Sequence, residues 1–365
     1  MAATAPWKTL PKRVIDRAHR FTRAEARARW VRWDVDRHMA KLVANTDAKA
    51  PSSAELRRIR DYARERFGSA AHAPWLEFYA AYRGRFVEGW VPEDFIQSVA
   101  MPYLNGSYHK LCQARTLQWR LLGSDSLPDL AHFVGGEWFD LDGARLERGR
   151  LRDLLFAGRE RVCIKTEQSI WGRGVSFATP ERFDLGSIEA QGNLVVQSAL
   201  VQGDWFARVF PGAVTTVRIA TGKLPGKRPH LVGAFLRIGQ GAAQNVDGNS
   251  LDLPILDAAG TLNPFAVRQD WTRLPAHPDT GFRFEGEAVP DFERAVGHCL
   301  GLHDRLPQFG FVGWDVVIDD QDRVQVMEFN TAHPETRLLE MAVGPCFEPY
   351  RMEQYRGRAI KDVWA

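Results

Sequence analysis

Gly313-Trp314-Asp315-Val316-Val317-Ile318, then Asp319-Asp320-Gln321-Asp322, then Val324 to Thr331: two apolar, β-branched runs separated by an acidic turn read as a β-hairpin. Two antiparallel strands bring Asp315, Glu328 and Asn330 together. Glu328 and Asn330 are two apart, so the period-two pleat points both side chains to one face. Asp315 lies on the partner strand, two residues beyond Gly313, and reaches the same face. Three converging oxygen donors suit Mg2+, which prefers hard ligands and keeps room for waters and phosphates. Taken alone, Glu328 and Asn330 read equally well as the polar outer face of a half-solvated strand.

A second constellation stands upstream. Val162-Cys163-Ile164-Lys165 reads as a buried strand ending in a cation, and Trp171-Gly172-Arg173-Gly174-Val175 as a glycine loop before the strand resumes at Ser176-Phe177. Glycine at 172 and 174 lets backbone N–H groups approach phosphate oxygens with no Cβ in the way. Many hairpins also contain a lone GxG. The loop is not the GxxxxGK[ST] of a P-loop, and no GxGxxG leads from a strand into a helix.

Working outward, the pattern from Trp7 to about Phe95 is helical, with Leu56, Ile59, Ala63 and Phe67 forming one apolar stripe. Ser52 and Glu55 read as a capping box, and Pro92 with Glu93 and Asp94 as a further helix start. After Leu104-Asn105-Gly106 short apolar runs alternate with Gly, Asp and Pro. Expected strands are 161–165, 193–198, 214–221, 230–238, 313–318 and 324–328. The expectation is an α+β protein of 365 residues with a helical region at 1–98, two lobes at about 99–200 and 201–350, and a tail at 351–365.

Composition excludes several classes. Hydrophobic content of 45% with 25% charged residues describes an ordinary globular chain. No run approaches eighteen apolar residues, and the expected location is cytoplasmic. Four scattered cysteines, Cys112, Cys163, Cys299 and Cys346, give neither a CxxC pair nor zinc spacing. Residues 1–66 hold 17 Lys and Arg against 8 Asp and Glu, although the whole chain carries only +3. Such a basic head could touch an acidic partner; equally, its arginines could line solvated helix faces and pair with the acidic body.

In order along the chain, Lys110 ahead of a helix, the strand-end Lys165, the WGRGV loop, Val196-Gln197-Ser198-Ala199-Leu200, and Asp315 with Glu328-Phe329-Asn330 resemble the ATP-grasp superfamily. More narrowly, Phe86 to Asn105, Thr215 to Thr221, Leu236 to Gly239 and Gly313 to Asp315 resemble the sugar-transfer associated ATP-grasp family, related to α-L-glutamate ligase-like proteins. The resemblance implies an ATP-grasp fold, two α+β lobes enclosing ATP, with Lys110, Lys165, Gly172, Arg173 and Gly174 on the phosphates. It implies Gln197, Ser198 and Leu200 at the adenine, and Asp204, seven residues after Gln197, at the ribose. Asp315, Glu328 and Asn330 would hold Mg2+, and Arg218 and Arg237 would face an acyl-phosphate or its oxyanion. Strand arginines also pair commonly with acids across a sheet.

The chain departs from the family at Thr166, where Pro is usual, at Gln197, where Glu is common, and after Val246-Asp247-Gly248-Asn249, which lacks the usual glycine pair. The segments Asn245 to Asp252 and His333 to Arg337 flank the implied reaction centre and are expected to choose the substrate, with Asn245, Asp247, His333 and Arg337 as the candidate contacts. The implied activity is carboxylate–amine ligation through an acyl-phosphate, with an amino acid and a sugar acid as substrates for polysaccharide or peptide-like assembly. A kinase of the same fold, or a non-catalytic ATP-binding scaffold with a basic head, are the alternatives.

Overall fold

Val31, Val35 and Leu42 recur on one face of the first helix, α1 (Lys12–Asn45), and all three are buried. The same spacing buries Ile59, Ala63 and Phe67 on α2 (Ser53–Phe67), and both stripes close on α3 (Ala73–Arg83), which is buried almost all round. The computed structural model describes residues 12–123, 126–167, 174–332 and 334–356, with side chains from residue 25 onward. Ser52 caps α2 by accepting from the Glu55 N–H at 3.3 Å. The expected reciprocal bond is replaced: the Glu55 carboxylate accepts from the Phe86 N–H at 2.8 Å. Pro92 stands as an extended residue just before Glu93–Phe95, outside the first turn. Helical backbone then continues through a π turn, Ile96–Ala100, to Met101–Asn105, a 3-10 stretch, and the helix Arg115–Leu122.

Two antiparallel sheets follow. The smaller holds β1 (Asp129–Val134), β2 (Glu137–Phe139), β3 (Val162–Thr166), β4 (Val175–Ala178) and β5 (Leu194–Ser198) in the order β2-β1-β5-β3-β4. The larger holds β6 (Thr216–Gly222), β7 (His230–Ile238), β8 (Leu251–Ile255), β9 (Ala266–Val267), β10 (Arg273–Leu274), β11 (Phe311–Ile318) and β12 (Val324–Asn330) in the order β10-β9-β8-β7-β6-β11-β12. All six expected strands are present within two residues of their expected ends. The protein is α+β, with a helical N-terminal region ahead of two sheets.

Period-two alternation gives the large sheet two different faces. Val217, Ile219, Ala234, Leu236, Leu253 and Trp314 turn one way and pack with the helix Phe292–Asp304. Ala220, Phe235 and Phe311 turn the other way, onto the helical head and the helix Arg337–Ala342. The basic head is thus a cover for one sheet face. Its ion pairs run mostly within itself, as in Arg32 and Arg60 on Glu77 and Arg58 on Glu88. Arg66–Glu353 is a contact of the kind expected with the body. Among the described residues, no helix is long and apolar enough to cross a membrane.

Candidate active site

The face of the large sheet that meets the head is apolar only in part. Farther along the same face, register places a row of charges side by side: Glu328 opposite Asp315, Asp315 opposite Arg218, and Arg237 opposite Asp252. Gly313 faces Asn330 one step away, and the period-two pleat keeps Asn330 beside Glu328. The hairpin reading of the sequence therefore gives the observed pairing.

Arg218 and Asp315 form a two-pronged pair. Nε and Nη2 each donate to a different carboxylate oxygen, the second at 2.8 Å, and both side chains are buried. Asn330 donates to the same carboxylate at 3.4 Å. Arg237 donates to Asp252 at 3.3 Å and also to Glu335, whose carboxylate lies 3.9 Å from Arg218. Both arginines thus make the cross-sheet pairings that strand arginines commonly make. Glu335 spans the two of them from a loop, with φ of 53° and a side chain 38% exposed. A non-glycine residue held in that region costs about 1–3 kcal/mol, which its surroundings must supply.

The small sheet completes the arrangement. Lys165, at the end of β3, is buried, and its Nζ donates to the Met327 carbonyl of β12 at 3.2 Å. Arg115, at the start of its helix, donates to Glu328 at 3.2 Å and to the Thr166 carbonyl at 2.6 Å. Two cations from one lobe thereby meet the carboxylate edge of the other.

The local fields follow from this geometry. Burial works to raise the Glu328 carboxyl, but Arg115, Lys165 and Arg218 outweigh it and hold it at about 2. Burial likewise opposes ionisation of Glu335, and Arg237, Arg218 and Arg337 bring it to about 2. Asp315 goes the other way: burial, together with the neighbouring Glu328 charge, prevails over Arg218 and raises it. The adjoining carboxylates are thus pushed apart in acidity. Two carboxylates and an amide oxygen form a donor set that fits Mg2+ chemically, with coordination positions left for water and phosphate. At present Arg218 holds both oxygens of Asp315. Among the described residues no cluster of three or more His, Cys, Asp or Glu side chains offers a competing metal site.

Among the described residues, no hydrogen bond or ion pair joins the other expected residues to this centre, although Arg337 contributes to its field. Lys110 is exposed on the 3-10 stretch Gly106–Gln113. Gln197 is buried in β5 and donates to Asp129 at 2.6 Å, so its side chain belongs to the sheet interior. Ser198 accepts from Arg159 at 2.9 Å. Leu200 lies in the segment after β5, and Asp204 is exposed at the start of the short helix Asp204–Val209. Gly174 accepts from the Thr166 N–H at 3.0 Å and closes the β3–β4 connection. Asp247 shapes its own turn with Asn249 and Ser250. Among the described residues, no hydrogen bond or ion pair joins Asn245 or Asp247 to the charged row. Arg337 stacks over Trp75 and Trp271 at the seam with the head. Gly172, Arg173 and His333 lie outside the described residues.

Sequence reasoning missed Arg115; Asp252 and Glu335 fall within the segments expected to choose the substrate, without a role of their own assigned. Asp252 was discoverable, because it alternates with the buried Leu251 and Leu253. Arg115 and Glu335 carry no local pattern that marks them.

The class defined by this fold and site has a counterpart in sequence: residues 185–354 match the family described as sugar-transfer associated ATP-grasp. The resemblance read from the motifs holds over that stretch, which contains β6 to β12 and the charged row. Among solved structures, the chain is similar to an ATP-grasp ligase, PsnB, complexed with minimal precursor, at 14% identity and TM-score 0.39, covering 84% of this chain and 75% of that one. It is also similar to D-alanyl-alanine synthetase A from Vibrio cholerae, at 11% identity and TM-score 0.38, with 68% and 64% covered. A third is the ADP complex of purK, an N5-carboxyaminoimidazole ribonucleotide synthetase, at 8% identity and TM-score 0.35; there the chain covers 60% of itself and spans under half, 44%, of the other. No curated protein matches by sequence.

Proposed function

We propose that this protein is an ATP-dependent carboxylate–amine ligase working through an acyl-phosphate, with the nucleotide between lobes at about 99–200 and 201–350. The observation that carries the reading is the meeting of Lys165 and Arg115 with Glu328, beside Asp315 and Asn330, where the two sheets touch. Two fixed cations against a carboxylate edge suit a polyphosphate. The cations neutralise its oxygens, and the carboxylates with Asn330 would hold Mg2+ between protein and phosphates. That ion would supply charge neutralisation as phosphoryl charge develops.

A substrate carboxylate oxygen attacks the γ-phosphorus, the bond to the bridging oxygen breaks, and ADP leaves. An amine nitrogen then attacks the acyl carbon, loses a proton, and expels phosphate. Arg237 and Arg218, both held rigidly by acids, stand where negative charge on the acyl group could be stabilised. The similarity to a sugar-transfer associated family supports an amino acid and a sugar acid as substrates, in polysaccharide or peptide-like assembly.

The test is a screen of amino acids and sugar acids, with MgATP and the full chain, for release of ADP and phosphate together. Asp315→Ala serves as the blank, and release that survives in it removes the metal assignment. Arg237→Ala should retain ATP binding yet turn over hundreds of times more slowly, in line with losing an oxyanion donor at about 3–4 kcal/mol. Wild-type turnover in that variant would discard the role. ADP with a phosphorylated product and no free phosphate would mean a kinase instead.

A further inference from the structure

Two arginines on one sheet face, Arg218 and Arg237, point their guanidinium groups at a shared spot, and a carboxylate already fills it. That carboxylate is Glu335. It accepts from Arg237 and lies 3.9 Å from Arg218. It differs from the other acids of the row in two respects. Asp252 and Asp315 are strand residues fixed by register opposite their arginines, whereas Glu335 comes from the loop between β12 and the helix Arg337–Ala342. Its backbone sits at φ of 53°, a conformation that L side chains disfavour. Like Asp252, its side chain is 38% exposed, while Arg218 is 5% exposed, so the loop carboxylate can leave toward solvent without crossing the core.

We propose that Glu335 is a built-in occupant of the subsite for the substrate's own carboxylate: it neutralises Arg218 and Arg237 in the empty enzyme and is displaced when a carboxylate substrate takes its place. The logic is electrostatic. Two guanidinium groups on a largely buried sheet face cannot stand unpaired at low cost. Asp315 and Asp252 answer one charge each, Arg337 adds a third positive charge to the field at Glu335, and Glu335 supplies the remaining counter-charge, which an entering carboxylate reproduces in kind. Exchange of one carboxylate for another keeps the charge balance of the row, so the site opens without exposing a bare cation. The substrate class follows: an acid small or extended enough to place a planar carboxylate between the arginines. This deepens the ligase reading and rests on it for the name of the ligand's role, though not for the binding itself.

The experiment uses acetate as the probe and no nucleotide. Glu335→Gly removes the carboxylate and suits the left-handed backbone. Titration calorimetry should show acetate binding to Glu335→Gly at least tenfold more tightly than to the wild type. Acetate should also raise the melting temperature of that variant where chloride at equal ionic strength does not. Adding Arg237→Met should abolish the gain. Equal acetate affinity in wild type and Glu335→Gly, or a gain that persists with Arg237→Met, overturns the proposal. Glu335→Gln, which removes only the charge, is a second variant with the same two outcomes should the glycine variant fail to fold. Because ATP is absent, a failed ligase screen leaves this result standing, and a failed acetate titration leaves the ligase screen open.

Discussion

Arg218 and Asp315 form a buried, two-pronged pair in the middle of a sheet, and such pairs behave asymmetrically. Taking both charges out of water costs several kcal/mol per ion, so the intact pair contributes little net stability, while removing one partner strands the other. Arg218→Met should therefore lower the unfolding free energy by about 3–5 kcal/mol, read from a denaturant midpoint. Adding Asp315→Leu should recover much of that loss, because two apolar side chains fill the same volume without a lone charge. The double variant should be stable and inactive. Should it prove no more stable than Arg218→Met alone, the stranded-charge explanation fails, and neighbouring Glu328 and Arg237 govern the cost. The pair is also where the sequence was most legible. A period of two and an acidic turn sufficed to put Asp315 opposite Glu328, since hairpin register is a local property. Glu335 lay within a segment expected to choose the substrate, but its pairing was not legible, because that depends on a left-handed backbone and on arginines about 100 residues upstream.

Strands and helices were legible wherever one residue pattern served one environment. Residues 162–164 and 194–196 are continuous apolar runs within β3 and β5, and such runs read as central strands. β1 was missed because its interior holds a polar pair, with His132 lying 2.9 Å from Asp129, which breaks the apolar signal. β8 contains Pro254, a residue that argues against a strand when only the sequence is in view. β9 and β10 have two residues each, too few to show any period. His303, near the end of the helix Phe292–Asp304, is a core residue with a measurable consequence. The Trp314 indole donates to Thr221 Oγ1 at 2.8 Å; that oxygen lies 2.8 Å from His303 Nδ1, and Nε2 lies 3.0 Å from the Phe309 carbonyl. A neutral ring satisfies both neighbours. Burial, with the weaker push of Lys223, lowers its pKa to about 4. The unfolded chain takes up that proton near 6.5, so between about 6.5 and 4 the unfolded state binds more protons and stability falls with falling pH. His303→Gln keeps a donor and an acceptor without titrating. Across that window the wild type should lose on the order of 3 kcal/mol more than the variant, as followed by urea unfolding at each pH. Parallel losses would show that His303 already carries its proton in the folded state.

At the scale of the molecule, the three hydrophobic cores are unequally joined. The head shares a core with the large sheet, where Trp75, Phe78 and Trp90 belong to the same cluster as Phe235, Phe311 and Met341. The small sheet keeps a core of its own, built from residues such as Phe133, Ile164 and Val196. It reaches the large sheet through polar contacts: Lys165 to Met327, Arg115 to Thr166 and Glu328, and, after β5, Gly203 to Ile318 and Asp320 to Val201. A boundary held by a handful of part-buried hydrogen bonds, with no core cluster shared across the two sheets among the described residues, is the one that opens at low free energy. Parting the two sheets therefore costs far less than lifting the head from its sheet face. A nucleotide bridging Lys165 and Glu328 would bind only the closed arrangement and stabilise it by mass action, by about 2.7 kcal/mol at a hundredfold excess over Kd. With a non-hydrolysable ATP analogue and Mg2+, backbone amides of β3, β5, β12 and the segment 199–203 should exchange up to about a hundredfold more slowly, while those of α1 to α3 stay unchanged. Hydrogen exchange read by mass spectrometry decides it. Equal protection of the head and the small sheet would mean that the nucleotide stabilises the protein as one cooperative body, and protection confined to the head would place the nucleotide elsewhere.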